Sequence, residues 1–263
     1  MTEEKPRRGI QSIEIGTSLL LQLARKGQPM PLREIARGAG ISIGKAHPYL
    51  VSFSKVGFVI QDASGCYELG PLALQLGLVR LQRLDALKEA GPLVEALALQ
   101  TGLTVSVCVW GNLGPTVVRI EQPAQPLHIA LRVGTVLSVI GTATGRLFAS
   151  FLPGSSVNEL VARDMSRFGG VETQRADLPE PELARLIEET RERGLSRTVE
   201  SPIPGINALS APVFDATGKL ALAVTAIGPA ASFDVAWDGE VAKALLACAL
   251  GISERLGHRV VGA

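Results

Sequence analysis

Residues 32–50, LREIARGAGISIGKAHPYL, constrain the fold of this chain more than any other stretch. Leu32, Ile35 and Ala36 follow the i, i+3, i+4 spacing that places apolar side chains on one face of a helix. The GAG segment that follows suits a sharp turn, because glycine adopts positive φ angles that cost other residues steric strain. We therefore expect a short helix that ends in a tight turn near residue 40.

A second helix is predicted directly after this turn. Ser42 stands at the expected N-cap, where its hydroxyl oxygen can accept a hydrogen bond from the first turn. Ala46, Leu50 and Phe53 then fall on one apolar face. The opposite face is small or polar and comprises Gly44, Lys45, His47, Val51, Ser52 and Lys55. Two helices joined by a glycine turn, the second with a polar outer face, form the helix-turn-helix pattern, in which the second helix enters the major groove of DNA.

The flanking sequence extends this pattern. Upstream of the pair we expect a helix with Ser12 as its N-cap that ends at about Gly27. Downstream, residues 58–61 and 66–69 have the composition of two short strands around the polar turn DASG. Three helices followed by a hairpin predict a winged helix-turn-helix domain over residues 1–70. The sequence leaves open the alternative that these helices only pack a small domain.

The charge distribution favours a polyanionic partner for the first segment. Residues 1–60 contain nine basic and four acidic side chains, a net charge of +5, whereas residues 61–263 carry −4. A chain that is near neutral overall, with its positive charge gathered in one small segment, is typical of a protein that binds nucleic acid through that segment. Solvated basic faces are also common, so charge supports the helix-turn-helix pattern and does not replace it.

Length and composition exclude several other protein classes. With 263 residues, 46% of them hydrophobic, the chain can bury the cores of one or two domains. Its apolar runs are too short to span a bilayer and its charged N-terminus differs from a signal peptide, so we expect a cytoplasmic protein with no membrane partner. Cys66, Cys108 and Cys248 are odd in number and widely spaced, which predicts neither disulfides nor a zinc site. We expect no metal and no cofactor.

The remaining sequence predicts a linker helix and an α+β domain. Leucines recur from Leu72 to about Glu89, and we expect a linker helix over residues 71–90. Beyond a break at Gly91-Pro92, the effector domain would occupy residues 91–263. Its predicted strands are 104–110, 116–122, 127–133, 195–200, 206–214 and 219–227, and its predicted helices are 93–100, one from about 142, 156–165, 180–194 and 235–256. Strands joined by hairpin turns indicate an antiparallel sheet.

The order of these features resembles the IclR family of bacterial transcriptional regulators over essentially the whole length. The resembling segments are REIARGAGISIGKAHPYL, the wing running into YELGP, GTATGRLFAS, GINALSAPVFDATGKL and VTAIGP. The resemblance implies a winged helix that binds double-stranded operator DNA, a linker helix, and a C-terminal effector-binding domain similar to the GAF fold. It also implies a homodimer or tetramer that represses or activates a metabolic operon, often one for the catabolism of small organic or aromatic acids.

The predicted DNA contacts combine the outer face of the second helix with nearby cations and the wing. They are Arg7, Arg8, Arg33, Ser42, Gly44, Lys45, His47, Tyr49, Lys55 and Ser64. The ring of Tyr49 is expected to pack inward while its hydroxyl reaches a phosphate. Pro48 departs from the family pattern, because many relatives carry arginine there. Proline inside a helix removes an N–H donor and crowds a carbonyl at a cost of about 3 kcal/mol, so we expect a bent or late-starting helix.

The second candidate site is a loop before the apolar pair Leu147-Phe148. It looks like the entry to a helix N-terminus, where free N–H groups and the helix dipole favour a carboxylate. Its residues are Gly141, Thr142, Ala143 and Thr144. The resemblance adds Thr198, Ile206, Ala208, Thr225 and Ile227 from facing strands. Their small or apolar character predicts a roomy apolar cavity with threonine hydroxyls, which fits a small organic acid with an apolar or aromatic body. The alternative is that the loop only starts a helix.

Three classes of function remain to be weighed. The sequence has no HExxH, Rossmann or kinase motif and suggests no Ser/His/Asp set, so we do not expect an enzyme. The most concrete enzymatic rival is a GAF-like thiol enzyme that uses Cys108, yet residues 105–110 predict a buried strand. A third class is a small-molecule sensor whose N-terminal helices bind protein. We predict a ligand-responsive, DNA-binding transcriptional regulator; the sequence specifies neither its effector nor its operator.

Overall fold

The computed structural model describes residues 9–82, 85–123, 131–168 and 179–259. The chain divides into two compact units, Met1–Leu84 and Asp85–Ala263, called here the N-terminal unit and the C-terminal unit. Each unit has its own buried apolar cluster. Among the described residues, no helix is long and apolar enough to cross a membrane.

The N-terminal unit is a helical core with a β-hairpin. Its elements are α1 (Gln11–Lys26), α2 (Leu32–Gly38), α3 (Ile43–Val56), β1 (Val59–Gln61), β2 (Tyr67–Leu69) and α4 (Pro71–Gln82). The two strands pair antiparallel, with Val59 opposite Leu69. Met30 adds an isolated antiparallel bridge to Tyr67. This arrangement confirms the winged helix-turn-helix that the sequence predicts.

The apolar spacing identified the side chains that join α2 to α3. Ile35, Ala36, Ala46 and Leu50 are at most 1% exposed and pack in one cluster with Leu19 of α1. Full burial of one leucine or isoleucine side chain contributes about 1.5–3 kcal/mol. The buried stripe therefore fixes which face of α3 turns inward and which face remains in solvent.

The turn between α2 and α3 follows from two residues. Gly40 has a φ of +68°, which strains any residue with a Cβ. Ser42 occupies the N-cap of α3, and its Oγ accepts a hydrogen bond from the backbone N–H of Lys45 at 3.3 Å. Both expectations for this turn are confirmed.

The ends of α1 are only partly as expected. Gly27 terminates the helix with a φ of +66°, as predicted. At the other end Ile10 is the N-cap residue and forms no side-chain cap hydrogen bond. Ser12 lies inside the first turn, so its prediction as N-cap was wrong.

The C-terminal unit is an α+β fold around one antiparallel sheet. Its elements are α5 (Ala86–Thr101), β3 (Thr104–Gly111), β4 (Gly114–Glu121), α6 (Ala143–Phe151), α7 (Gly154–Phe168), α8 (Glu180–Arg193), β5 (Ser196–Thr198), β6 (Ile206–Phe214), β7 (Leu220–Pro229) and α9 (Glu240–Arg255). The strand order is β4-β3-β7-β6-β5, and every neighbouring pair is antiparallel. The predicted fold class is confirmed.

Alternation along the strands separates two faces of this sheet. Ser210 and Thr225 are directly opposite each other in β6 and β7, and Thr225 contacts Thr144 of α6. Successive side chains of a strand point to opposite faces, so Leu209 and Val224 face away from α6. Helices α5 and α9 pack together and contact the sheet as well. Helix α6 is therefore the element that can bring a loop to the Ser210–Thr225 face.

The predicted linker helix was wrong in its bounds. Helix α4 ends at Gln82, and α5 begins at Ala86 after a new N-cap. That cap is Asp85, whose carboxylate accepts hydrogen bonds from the N–H groups of Leu87 at 2.9 Å and Lys88 at 3.3 Å. The leucine spacing continues on both sides of Asp85, so it did not indicate that a new helix begins there. The role of residues 71–90 as a connection stays a prediction.

Two further expectations for the C-terminal unit need correction. Helix α5 continues through Gly91-Pro92 to Thr101, so the predicted break there is absent. Of the predicted strand 127–133, residues 127–130 lie outside the described residues, and residues 131–133 form no strand.

Candidate functional site

The outer face of α3 presents a polar surface to solvent. Lys45, His47 and Lys55 are exposed, together with Gly44 and Ser52. In α2, Arg33 is also exposed. The placement of these side chains agrees with the face predicted from the apolar spacing, whereas Arg7 and Arg8 lie outside the described residues. Contact of any of these residues with DNA stays a prediction.

Six cations are exposed among the residues of the N-terminal unit whose side chains the structure describes, and they contribute positive charge to its surface. They are Arg25, Lys26, Arg33, Arg37, Lys45 and Lys55. Within residues 9–82, none of them is paired with a carboxylate that the structure describes. Unpaired surface cations are available to phosphate groups, which would release condensed counterions on binding.

Ser42 and Tyr49 support α3 in different ways. The Ser42 hydroxyl uses an oxygen lone pair to cap the helix, so its proton remains available to donate to a phosphate. The half-buried ring of Tyr49 packs against the cluster that contains Leu50, as expected.

Pro48 does not delay the start of α3. The helix begins at Ile43, directly after its cap, and Pro48 lies inside it. The late start was thus predicted wrongly, and a bend stays a prediction. Because proline has no N–H, the Gly44 carbonyl loses its donor from within the helix. A Cβ at Gly44 would meet no heavy atom within 4 Å, so this part of the helix is open and water can reach the carbonyl.

The tip of the wing is organised by one carboxylate. Asp62 Oδ1 accepts hydrogen bonds from Ser64 Oγ at 2.6 Å, Ser64 N at 2.8 Å and Cys66 N at 2.9 Å. The Ser64 hydroxyl is the leading cause that lowers the pKa of Asp62. The only hydroxyl proton of Ser64 is therefore used within the turn, and while the turn is intact it cannot be donated to a phosphate.

A cavity of about 100 Å³ lies at the N-terminus of α6, against the sheet. Eight of the nine predicted effector residues line it: Thr142, Ala143, Thr144, Thr198, Ile206, Ala208, Thr225 and Ile227. Three of them converge by strand pairing, because Ala208 of β6 is opposite Thr198 in β5 and Ile227 in β7. Gly141 is not among the lining residues; its N–H donates to Ser138 Oγ at 2.8 Å.

Six lining residues were missed by the sequence analysis. They are Leu131, Thr135, Leu137, Ser201, Pro202 and Ile203. All belong to irregular segments without a recognisable motif, so no sequence signal marked them. Their side chains narrow the cavity, which is therefore smaller than the roomy cavity that the sequence predicts. One buried water needs a cavity of about 10–15 Å³, so this cavity has several times the volume of a single-water site.

The threonine hydroxyls of the cavity are bonded to one another. Thr144 Oγ1 lies 2.8 Å from Thr225 Oγ1, which donates to Ser210 Oγ at 2.8 Å. Thr142 Oγ1 caps α6 by accepting from the N–H of Gly145 at 3.0 Å and donates to the carbonyl of Ser138 at 2.8 Å. These bonds join the first turn of α6 to β6 and β7.

The first turn of α6 offers donors to the cavity. Thr142 is the N-cap, so the N–H groups of Ala143 and Thr144 lie at the first helical positions, where no intrahelical acceptor exists. Both residues line the cavity and are at most 3% exposed. None of the described residues that line the cavity carries an ionisable side chain. Among these residues, no side-chain charge opposes the positive end of the helix dipole.

Cys108 lacks the properties of a catalytic thiol. Its side chain is 0% exposed within β3, and burial raises its pKa to about 12. A nucleophilic cysteine needs a lowered pKa and access to substrate. The enzymatic alternative based on Cys108 is therefore not supported. Among the described residues, no group of three or more His, Cys, Asp or Glu could hold a metal ion.

Comparison with known proteins identifies relatives along the whole chain. Two family models match: the IclR helix-turn-helix domain over residues 12–63, and the C-terminal domain of the bacterial transcriptional regulator IclR over residues 79–254. The glycerol operon regulatory protein of Streptomyces coelicolor is 28% identical over 256 residues, which cover 95% of this chain and 98% of that protein.

Solved structures show the same fold. The crystal structure of Pseudomonas aeruginosa HmgR superposes with a TM-score of 0.85 at 37% identity, covering 97% of this chain and 100% of that one. An IclR homologue from Microbacterium hydrocarbonoxydans, complexed with 4-hydroxybenzoate, is similar in fold, with a TM-score of 0.56, 17% identity and coverage of 93% and 98%. With a helix-turn-helix DNA-binding domain and a C-terminal effector-binding domain, this chain belongs to the IclR family of bacterial transcriptional regulators.

Proposed function

We propose that this regulator responds to a small organic acid, most simply a single-ring aromatic acid, held in the cavity at the N-terminus of α6. The observation that carries the proposal is a cavity whose described lining residues are uncharged and which lies at a helix N-terminus. A carboxylate accepts hydrogen bonds from free N–H groups at such a terminus. The apolar floor formed by Ile206, Ala208 and Ile227 then suits the body of the acid.

Size and fold support the same class of ligand. A cavity of about 100 Å³ matches a small effector. The homologue complexed with 4-hydroxybenzoate is a protein of the same fold with a single-ring acid as its ligand. We therefore propose an operon for the metabolism of such an acid as the regulated target.

The effector class is tested by thermal unfolding with matched ligands. Benzoate and 4-hydroxybenzoate should raise the melting temperature of the protein, because a ligand that binds only the native state stabilises it, by about 2.7 kcal/mol at a hundredfold excess over Kd. Benzamide, which has the same ring and no charge, should give a much smaller shift. An equal shift with benzamide, or no shift with any aromatic or aliphatic carboxylate, would contradict an acid effector.

For DNA, we propose that α3 enters the major groove and that a homodimer, or a dimer of dimers, reads two half-sites of the operator in the bacterial cytoplasm. Lys45 and His47 lie on the exposed face near the start of α3. The N-terminal part of a recognition helix is the part that contacts base edges. Effector and DNA would then change each other's affinity by the same factor.

Replacement of Lys45 by alanine tests this placement. Binding to a DNA fragment from upstream of its own gene should weaken about tenfold, and the slope of log affinity against log salt should fall by about one, because the variant has one cation fewer to displace counterions from the DNA. Titrations at several salt concentrations measure both quantities. Lys243→Ala is the matched control, since Lys243 is an exposed lysine of the C-terminal unit.

Two results would oppose the proposed DNA contact. If Lys45→Ala and Lys243→Ala bound the fragment equally, α3 would not be the helix that enters the groove. If the protein failed to shift the fragment at any salt concentration, the N-terminal helices would instead serve the protein-binding function that the sequence left open.

A further inference from the structure

Two buried charged residues hold the loop that leads into α6. Arg146 is 6% exposed and Asp164, of α7, is 0% exposed. Neither is among the residues that line the cavity. A buried charge is costly unless hydrogen bonds compensate it, so the groups that these two side chains bond are informative.

The Arg146 guanidinium joins two walls of the cavity through backbone carbonyls. Its Nε donates to Ile140 O at 2.8 Å and its Nη2 to Gly141 O at 3.5 Å. Its Nη1 donates to Arg197 O at 3.3 Å. The carbonyls of Gly141 and Arg197 directly precede Thr142 and Thr198, which line the cavity. One side chain therefore ties the α6 entry loop to β5.

The carboxylate of Asp164 accepts hydrogen bonds from backbone N–H groups of the same loop. Its Oδ1 accepts from Val139 N at 3.1 Å, and its Oδ2 accepts from Ile140 N at 3.0 Å and from Ser138 Oγ at 2.6 Å. Ile140 is thus bonded at its N–H by the carboxylate and at its carbonyl by the guanidinium of Arg146. The carboxylate of Asp164 and the guanidinium of Arg146 therefore restrain the loop at Ile140 through its N–H and its carbonyl.

We propose that Arg146 and Asp164 are positioning residues for effector binding. The geometric part of this proposal is that the two side chains hold the loop and β5, so that Thr142, Thr144 and Thr198 face one ligand. The binding part is that effector affinity depends on this restraint. The binding part rests on the proposed acid effector, whereas the geometric part does not.

The binding part is tested with variants of Arg146 and with benzoate as the probe, by calorimetric titration. Arg146→Met and Arg146→Lys both lose the guanidinium contact to the carbonyls of Ile140, Gly141 and Arg197. Both variants should therefore bind benzoate about tenfold more weakly, or weaker still. Because lysine keeps the charge, a loss in Arg146→Lys equal to that in Arg146→Met is the result expected of a contact that positions the loop.

Arg191→Met is the matched control. Arg191 donates to the carbonyl of Ser150 at 2.7 Å, at the other end of α6, and is half exposed. This variant also removes a guanidinium from a carbonyl of α6, yet it should leave the benzoate affinity unchanged. Wild-type affinity in Arg146→Met, or an equal loss in Arg191→Met, would overturn the binding part.

The geometric part is tested without any ligand by hydrogen exchange. In Asp164→Asn, which keeps shape but loses one acceptor oxygen, amides in a peptide covering residues 138–146 should exchange at least about tenfold faster. Peptides from β6 and β7 should be unaffected. Asp215→Asn, which alters a half-buried hairpin carboxylate, is the control and should not change residues 138–146.

The outcomes separate the two proposals. Uniformly faster exchange over the C-terminal unit, or no change at residues 138–146, would overturn the positioning role. If wild-type protein bound neither benzoate nor any other carboxylate while Asp164→Asn loosened the loop alone, the acid effector would be wrong and the positioning role would stand.

Discussion

Replacing Gly145 by alanine should destabilise the C-terminal unit by about 3 kcal/mol or more, the range seen when a group is forced into a packed interior that cannot relax. A Cβ at this position would overlap the carbonyl oxygens of Ser138 and Val139 and lie 2.6 Å from the Val139 Cα. These are backbone atoms of the loop held by Asp164 and Arg146, so they cannot rotate aside. Urea unfolding of the purified protein measures the loss.

Gly251→Ala provides the matched glycine for this experiment. Gly251 lies inside α9 of the same unit, and a Cβ there would make only an ordinary contact, 3.7 Å from a methyl group of Leu93. Alanine is the better helix former by about 0.8–1.0 kcal/mol, so this variant should be as stable as wild type or more stable. If Gly145→Ala unfolded at the same urea concentration as Gly251→Ala, the tight approach of the loop to α6 would be refuted.

The second large effect is expected from Ala208→Phe. Ala208 lies between Thr198 and Ile227 on the cavity floor. The ring of phenylalanine would occupy much of the cavity, whose volume is on the order of eight water-sized spheres. Benzoate affinity should fall at least about a hundredfold, equivalent to about 2.7 kcal/mol. The same titration and the loss of the benzoate-induced rise in melting temperature provide the measurements.

DNA binding separates this effect from misfolding. Ala208→Phe should bind the upstream DNA fragment like wild type in the absence of ligand but no longer respond to benzoate. Ala208→Ser, which barely changes the volume, should keep the ligand response. A wild-type benzoate response in Ala208→Phe would place the effector outside this cavity.

Features fixed by neighbouring residues could be predicted from the sequence. The stripe of Ile35 and Ala36, the Ser42 cap and the exposed face of α3 depend on periods of three and four residues, which a single sequence displays directly. The hairpin turn DATG is equally local: Asp215 Oδ1 accepts from Thr217 and Lys219 within four residues. A single sequence shows these features because each depends on interactions between residues that are only about three or four positions apart.

Features that depend on distant residues could not be predicted in the same way. Strand β7 pairs with β3, more than a hundred residues earlier, and no local pattern encodes that partner. Likewise, Asp164 and Arg146 form hydrogen bonds mainly with backbone atoms. Since nearly every residue has the same backbone groups, the sequence does not show which residues these side chains will contact. The wall residues Ser201 and Ile203 lie in an irregular segment whose path depends on the finished sheet. The resemblance to relatives supplied the facing strands, which spacing alone would not have done.

The hydrogen bonds that Asp62 accepts have a consequence for how the wing can meet a duplex. A carboxyl group with a lowered pKa keeps its negative charge at neutral pH, and the outermost turn of the wing is therefore anionic. Repulsion from the phosphodiester backbone would keep this turn away from a bound duplex, and discrimination between operators would then depend on the base pairs that α3 contacts.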